Sequence, residues 1–118
     1  MLYAAALDQR IGRLILDGML LFYRTIIDQR VHRRIFENVV WGALRRYDLP
    51  DLVAALAPRP VWIANSVDAL GHRVKMTDAG KRYEDAATAF RLAGAGNSLR
   101  IVERRSGDRA AAFYQDLK

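Results

Sequence analysis

The stretch Pro58-Arg59-Pro60-Val61-Trp62-Ile63-Ala64-Asn65-Ser66-Val67-Asp68 decides how the rest of the chain is read. Val61 to Ala64 is a short β-branched and aromatic run. It is entered through proline and left through a polar turn, the pattern of a buried strand. Before it, Asp48-Leu49-Pro50-Asp51 forms a turn, and Asp48 or the Pro50 region starts a short helix over Leu52 to Leu56. Pro58-Arg59-Pro60 stops that helix. After it, Ala69-Leu70-Gly71-His72 is a loop, and Thr77 or Asp78 can cap a helix from Ala79 to Leu92. The apolar face of this helix is Tyr83, Ala86, Ala87 and Phe90, and Gly94-Ala95-Gly96-Asn97 terminates it. Leu99 to Val102 is another strand, ended by Arg104-Arg105-Ser106-Gly107-Asp108. Arg109 to Lys118 is helical, with Ala110 to Tyr114 as its apolar part.

Upstream, Met1 to Leu7 has the alanines of a helix tail and stops at Asp8. With no capping residue before it, that helix is expected to begin ahead of Met1. Ile11 to Leu16 is a short apolar run closed by Asp17-Gly18 and is expected to be a buried strand. From Met19 to Tyr47, Ile27, Val31, Ile35 and Val39 recur every four residues, which predicts one apolar stripe on a helix ended or interrupted by Gly42. Arg33 and Glu37 would be an i,i+4 pair on its outer side. Core packing explains the stripe, and a basic membrane-surface helix carrying Phe36 and Trp41 is the rival.

Strands alternating with helices predict an α/β fold in three layers, with a parallel sheet of about three strands flanked by helices. Residues 1–118 would form a single domain. The strand ends that would gather on one side are Asp17-Gly18, Ser66-Val67-Asp68 and Ser106-Gly107-Asp108. In open α/β sheets the chemistry sits just past such carboxyl ends.

Composition narrows the function. A hydrophobic fraction of 52% with 27% charged residues is that of a globular chain and not of a disordered one. The absence of cysteine removes disulfides, thiolate metal sites and a cysteine nucleophile. No run reaches the ~18 apolar residues of a membrane span, and Met1 to Arg10 lacks the basic n-region of a secretory signal. The net charge of +6 comes almost wholly from arginine. Arg33-Arg34, Arg45-Arg46 and Arg104-Arg105 are scattered and broken by acids. A solvated surface fits this better than a nucleic-acid or membrane partner.

Asp68 is the residue singled out for chemistry. At this point the sequence resembles the α/β-hydrolase family, in its prolyl-oligopeptidase-like and acetyl-xylan-esterase-like branch. The likeness runs from Tyr47-Asp48-Leu49-Pro50-Asp51-Leu52 into Leu56-Ala57-Pro58-Arg59-Pro60 and on through Asp68-Ala69-Leu70-Gly71. Tyr3 to Ile11 looks like the end of the helix behind the nucleophile elbow plus the following strand. The resemblance implies that Asp68 is the acid of a catalytic triad and that the parent enzyme is a serine hydrolase cleaving a carboxylic ester without a cofactor. It also implies a C-terminal portion lacking the nucleophile-elbow half, with the missing N-terminal half or a second copy of the chain as partner. The departures are clear. No G-x-S-x-G occurs, so the nucleophile would lie upstream of Met1. Arg105 to Arg109, where the family histidine should stand, reads Arg-Ser-Gly-Asp-Arg. A truncated fragment, a non-catalytic remnant, and an unrelated small α/β binding module therefore all remain open.

The other polar residues have plainer readings. His72 could act as a base in the acid's own loop, but an exposed loop histidine is the simpler view. His32 reads as a helix-surface residue. Asp68, His72 and Asp78 lack ligand spacing, and no metal site is expected. Ser66, Ser98 and Ser106 read as turn residues. Gly94-Ala95-Gly96 follows a helix and precedes a strand, the reverse of a dinucleotide loop.

Overall fold

The computed structural model describes residues 1–33 and 39–115. Its centre is a sheet of three parallel strands in the order β1-β2-β3, with β1 Leu14–Asp17, β2 Val61–Ala64 and β3 Leu99–Val102. Leu14, Val61 and Leu99 share one register level, and Asp17, Ala64 and Val102 the last. All four residues of β2 are buried. A strand hydrogen-bonded on both edges and covered on both faces has no room for a polar position, which is why Val-Trp-Ile-Ala carries none.

The two faces are covered unequally. Leu14, Leu16, Val61 and Ile63 point into the main core with Leu2, Val53, Leu56, Tyr83 and Phe90. That core is walled by α1 (Leu2–Leu7), α3 (Leu49–Ala54), α4 (Met76–Arg82) and α5 (Glu84–Leu92). Both crossovers step in the same direction across the sheet, so the right-handed rule brings their helices to one side. Trp62 points to the other face, where Tyr114, just after the short α6 (Ala110–Phe113), meets it edge-on at 6.1 Å. The Arg100 guanidinium lies 5.2 Å from the Trp62 ring centre.

The segment after β1 differs from its expected long helix. The chain leaves through Gly18 at φ 71°, and Leu20 then bridges Val67 in parallel. The helix that follows, α2, covers only Arg24–Asp28 and ends on Gln29 in extended conformation. A 3₁₀ turn at Ala43–Arg45 follows Gly42 at φ 76°. Ile27, Val31 and Val39 are exposed and form no single stripe, whereas Ile35, Phe36 and Glu37 lie outside the described residues. The burial of Leu20, Leu21 and Tyr23 wins over the four-residue period, because these side chains fill the core beside β1. His32 is correspondingly not on a helix surface. It is half-buried, and its Nε2 donates to the Ile26 carbonyl at 2.6 Å.

The helix expected over Ala79 to Leu92 is broken in two at Tyr83. It starts at Met76, and neither Thr77 nor Asp78 caps it. The Tyr83 ring is fully buried, and its hydroxyl donates to the Leu21 carbonyl at 2.9 Å. Burial, with the Asp48 charge nearby, pushes that phenol well above its ordinary range. Arg59, from the Pro-Arg-Pro stretch, donates to the carbonyls of Ala5 at 2.8 Å and Ile11 at 3.1 Å. A guanidinium supplies several donors to orphan carbonyls at a helix end, so this arginine fixes the passage from α1 to β1.

Asp48 does the same for donors. Its carboxylate accepts from Leu49 N at 2.7 Å and from Tyr23 N at 2.6 Å, and Asp51 returns a bond to Asp48 N at 2.7 Å. This capping box starts α3 ahead of Pro50 and ties it to α2. Asp48→Ala strands donors in both elements and is expected to lower the unfolding free energy by about 2 kcal/mol. Asp51→Ala, which loses one return bond, should cost about 1 kcal/mol or less. Urea unfolding followed by circular dichroism checks both values and their order.

Candidate functional site at the carboxyl ends of the strands

Two polar groups stand where the strands end. The first is the Asp68 loop. Beyond β2 the chain turns at Asn65, whose φ of 49° is left-handed and suits asparagine better than most residues. Val67 then bridges Leu20 on one side and Arg73 on the other. Asp68 is held between them. Its Oδ1 accepts from Leu70 N and from His72 N, both at 2.9 Å, and its own N–H donates to the His72 carbonyl. Its Oδ2 faces His72 Nδ1 at 3.6 Å, beyond hydrogen-bond length. The His72 side chain is 73% exposed and that of Asp68 24%. A contact so exposed contributes little to stability.

The second group ties the three strands together, and sequence reasoning passed over it. Asp17, the last residue of β1, has its Oδ1 bonded by Asn65 Nδ2 at 2.8 Å. Its Oδ2 accepts from Tyr114 Oη at 2.9 Å and from Arg104 Nε at 3.2 Å. Asn65 Oδ1 accepts from Arg104 N at 3.1 Å. One carboxylate and one amide thus connect the exits of β1, β2 and β3 with the C-terminal helix. Burial opposes ionisation of Asp17, but the bonds from Asn65, Tyr114 and Arg104 outweigh it and hold the carboxyl below its usual range. Burial and the bond to Asp17 push the Tyr114 phenol up. The available signal was positional: Asp17 ends β1, Asn65 directly follows β2 and Arg104 stands two residues past β3, while only Tyr114 is distant.

The structure brings the Asp68 loop and the loop after β3 side by side, with Arg73 donating to the Arg104 carbonyl at 3.3 Å. Where the family histidine was expected, Arg105 to Asp108 makes a turn. Asp108 Oδ2 accepts from Arg105 N at 3.2 Å, and Gly107 takes φ 106°. Asp68 bonds to its own loop and not to this turn. Ser66 is buried behind the same edge, and its Oγ has no hydrogen-bond partner among the described residues. Among the described residues no three acidic or histidine side chains converge as metal ligands, and no helix is long and apolar enough to cross a membrane.

Known families, curated proteins and solved structures offer no match to this chain.

The Asp17 node makes the C-terminal clasp pH-sensitive at both extremes. The lowered carboxyl of Asp17 contributes stability that is present above the unfolded value near 3.9 and is lost as pH falls below it. The raised phenol of Tyr114 contributes stability that is full below about pH 10 and is lost as pH rises beyond it. Trp62 reports the clasp once Trp41, the other tryptophan, is replaced by phenylalanine. In Trp41→Phe, the Trp62 emission is expected to shift to the red below about pH 4 and above about pH 10. Adding Tyr114→Phe should give the shifted spectrum already at neutral pH.

Proposed function

We propose that these residues are the acid-bearing part of a serine hydrolase of the α/β-hydrolase type, with Asp68 as the triad acid. The substrate class is a carboxylic ester of the kind cleaved by acetyl-xylan-esterase-like enzymes. The observation that carries this reading is the setting of Asp68. It stands past the carboxyl end of the middle strand of a parallel sheet, where such folds carry their chemistry. One carboxylate oxygen is fixed by two backbone N–H groups, and the other is turned outward to an imidazole nitrogen. An acid that orients a catalytic histidine needs both properties: a fixed carboxylate and an oxygen left to accept from Nδ1–H.

On this reading the work divides. The nucleophile and its oxyanion hole belong to polypeptide outside these 118 residues, since no G-x-S-x-G occurs within them. The histidine would approach the Oδ2 side of Asp68 now faced by His72. A second reading, a small α/β interaction module without catalysis, is favoured by one observation. The bonds of Asp68 close its own turn, which is what a loop-capping aspartate does.

The isolated chain is expected to hydrolyse p-nitrophenyl acetate no faster than a heat-treated sample. Joined to the nucleophile-bearing half of an acetyl-xylan-esterase-like enzyme, with histidine restored at Ser106, Gly107 or Asp108, it should gain esterase activity. Asp68→Asn in that enzyme should then lose about 10³–10⁴-fold in kcat, because the imidazole loses its orienting anion. An Asn variant as active as its parent would overturn the acid role and leave the interaction module.

A further inference from the structure

The exposed apolar side chains are unevenly spread. Among the described residues Met1, Leu7, Met76 and Leu92 stand singly, whereas Ile27, Val31, Val39, Val40, Trp41 and Leu44 all fall in one stretch. Single surface apolar residues need no explanation, but a group of them does. Trp41 is 89% exposed and Ile27 70%. On the sequence, core packing explains the four-residue period of Ile27, Val31 and Val39; in the fold all three are outside the core.

Two pieces of chain bring these side chains together. Ile27, on α2, and Val39, Val40, Trp41 and Leu44, which run into the 3₁₀ turn, border one depression of about 280 Å³. Gly42 makes the bend that buries Ala43 and leaves Trp41 and Leu44 outside. The same stretch is basic. Arg24, Arg30, Arg33, Arg45 and Arg46 are exposed, and none of the five is in an ion pair among the described residues. In sequence, residues 24–46 hold six arginines against Asp28 and Glu37, which is +4 of the chain's net +6. Charged and apolar groups are interleaved. Ile27 lies between Arg24 and Arg30 in sequence, and the Arg45 guanidinium stands 5.9 Å from the centre of the Trp41 ring.

That pattern selects the partner. A protein interface sets an apolar centre inside a polar rim. A nucleic-acid surface uses aromatic rings for stacking, and exposed aliphatic side chains offer nothing to a phosphate backbone. A lipid headgroup layer takes both kinds of group at once. Tryptophan settles at the membrane–water boundary, aliphatic side chains dip below it, and arginine heads stay with the anionic headgroups while their stems lie along apolar surface.

We propose that residues 24–33 and 39–46 seat the protein on an anionic phospholipid surface, with Ile27, Trp41 and Leu44 entering the headgroup layer and the arginines meeting its negative charge. The proposal goes beyond the hydrolase reading and uses no side chain of the Asp68 loop, so either can fail alone.

Co-sedimentation of the 118-residue chain with lipid vesicles tests it. Vesicles of phosphatidylcholine mixed with phosphatidylserine should bind the chain at least about tenfold more tightly than phosphatidylcholine alone. Salt at about 1 M, which cuts the screening length to about 3 Å, should release it. Trp41→Ala should weaken binding about tenfold, and Arg45→Glu with Arg46→Glu at least as much. Leu92→Ala removes a side chain that is 85% exposed on α5 and should bind like the parent. Trp62 is already buried, so Trp41 is the tryptophan able to change surroundings. Its emission should move to the blue on adding the anionic vesicles, and the movement should be absent in Trp41→Phe. A parent chain that ignores anionic vesicles would overturn the proposal, as would binding that survives the Trp41 or the paired arginine change intact. Retention of single-stranded RNA without retention of vesicles would also overturn it and make the stretch a nucleic-acid surface.

Discussion

Both crossovers of this sheet step the same way, from β1 to β2 and from β2 to β3. Right-handed connections then have one outcome: the helices that make them lie on one face. That face receives α1, α3, α4 and α5 and holds most of the core. The opposite face is left to whatever follows β3. Trp62 and Ala64, which point there, are nevertheless buried. The cover over Trp62 includes the Tyr114 ring, brought back from the C-terminal side.

This asymmetry explains why so much polar structure gathers at the strand exits. Parallel strands deliver all their carboxyl ends to one side, so Asp17, Asn65 and Arg104 arrive there from three separate parts of the sequence. A carboxylate that is 29% exposed is tolerable when several donors hold it. The donors come from two different strand exits and from the segment after α6, so the bonds fix strand ends and C-terminal cover together. Asp68 sits beside this node and is independent of it, its loop being closed by its own backbone. The Asp17 node and the Asp68 loop are thus separate groups.

The same stepwise order leaves β1 and β3 as edges with different surroundings. α4 follows β2 in sequence and packs against β3. α1 packs against β1, beside a groove that runs between α1 and the Val39–Val40 stretch.

The sequence by itself determined the parallel α/β class, the three strands and the helices that follow the central one. Val61 to Ala64 is legible because burial on both faces admits only apolar residues, and Asp48 with Pro50 is legible because capping chemistry is local. The place of Asp68 in the turn past β2 is legible for the same reason, since it depends only on where that strand ends. Tertiary structure decided the rest. The four-residue period of Ile27, Val31 and Val39 gave way because Leu20, Leu21 and Tyr23 had a core to fill. Tyr83 broke one expected helix into two while its hydroxyl bonded the Leu21 carbonyl far along the chain. The Asp17–Asn65–Arg104–Tyr114 node was invisible for the same physical reason. Its members are ordinary turn residues one by one, and only the right-handed winding of parallel strands puts their side chains within hydrogen-bond reach.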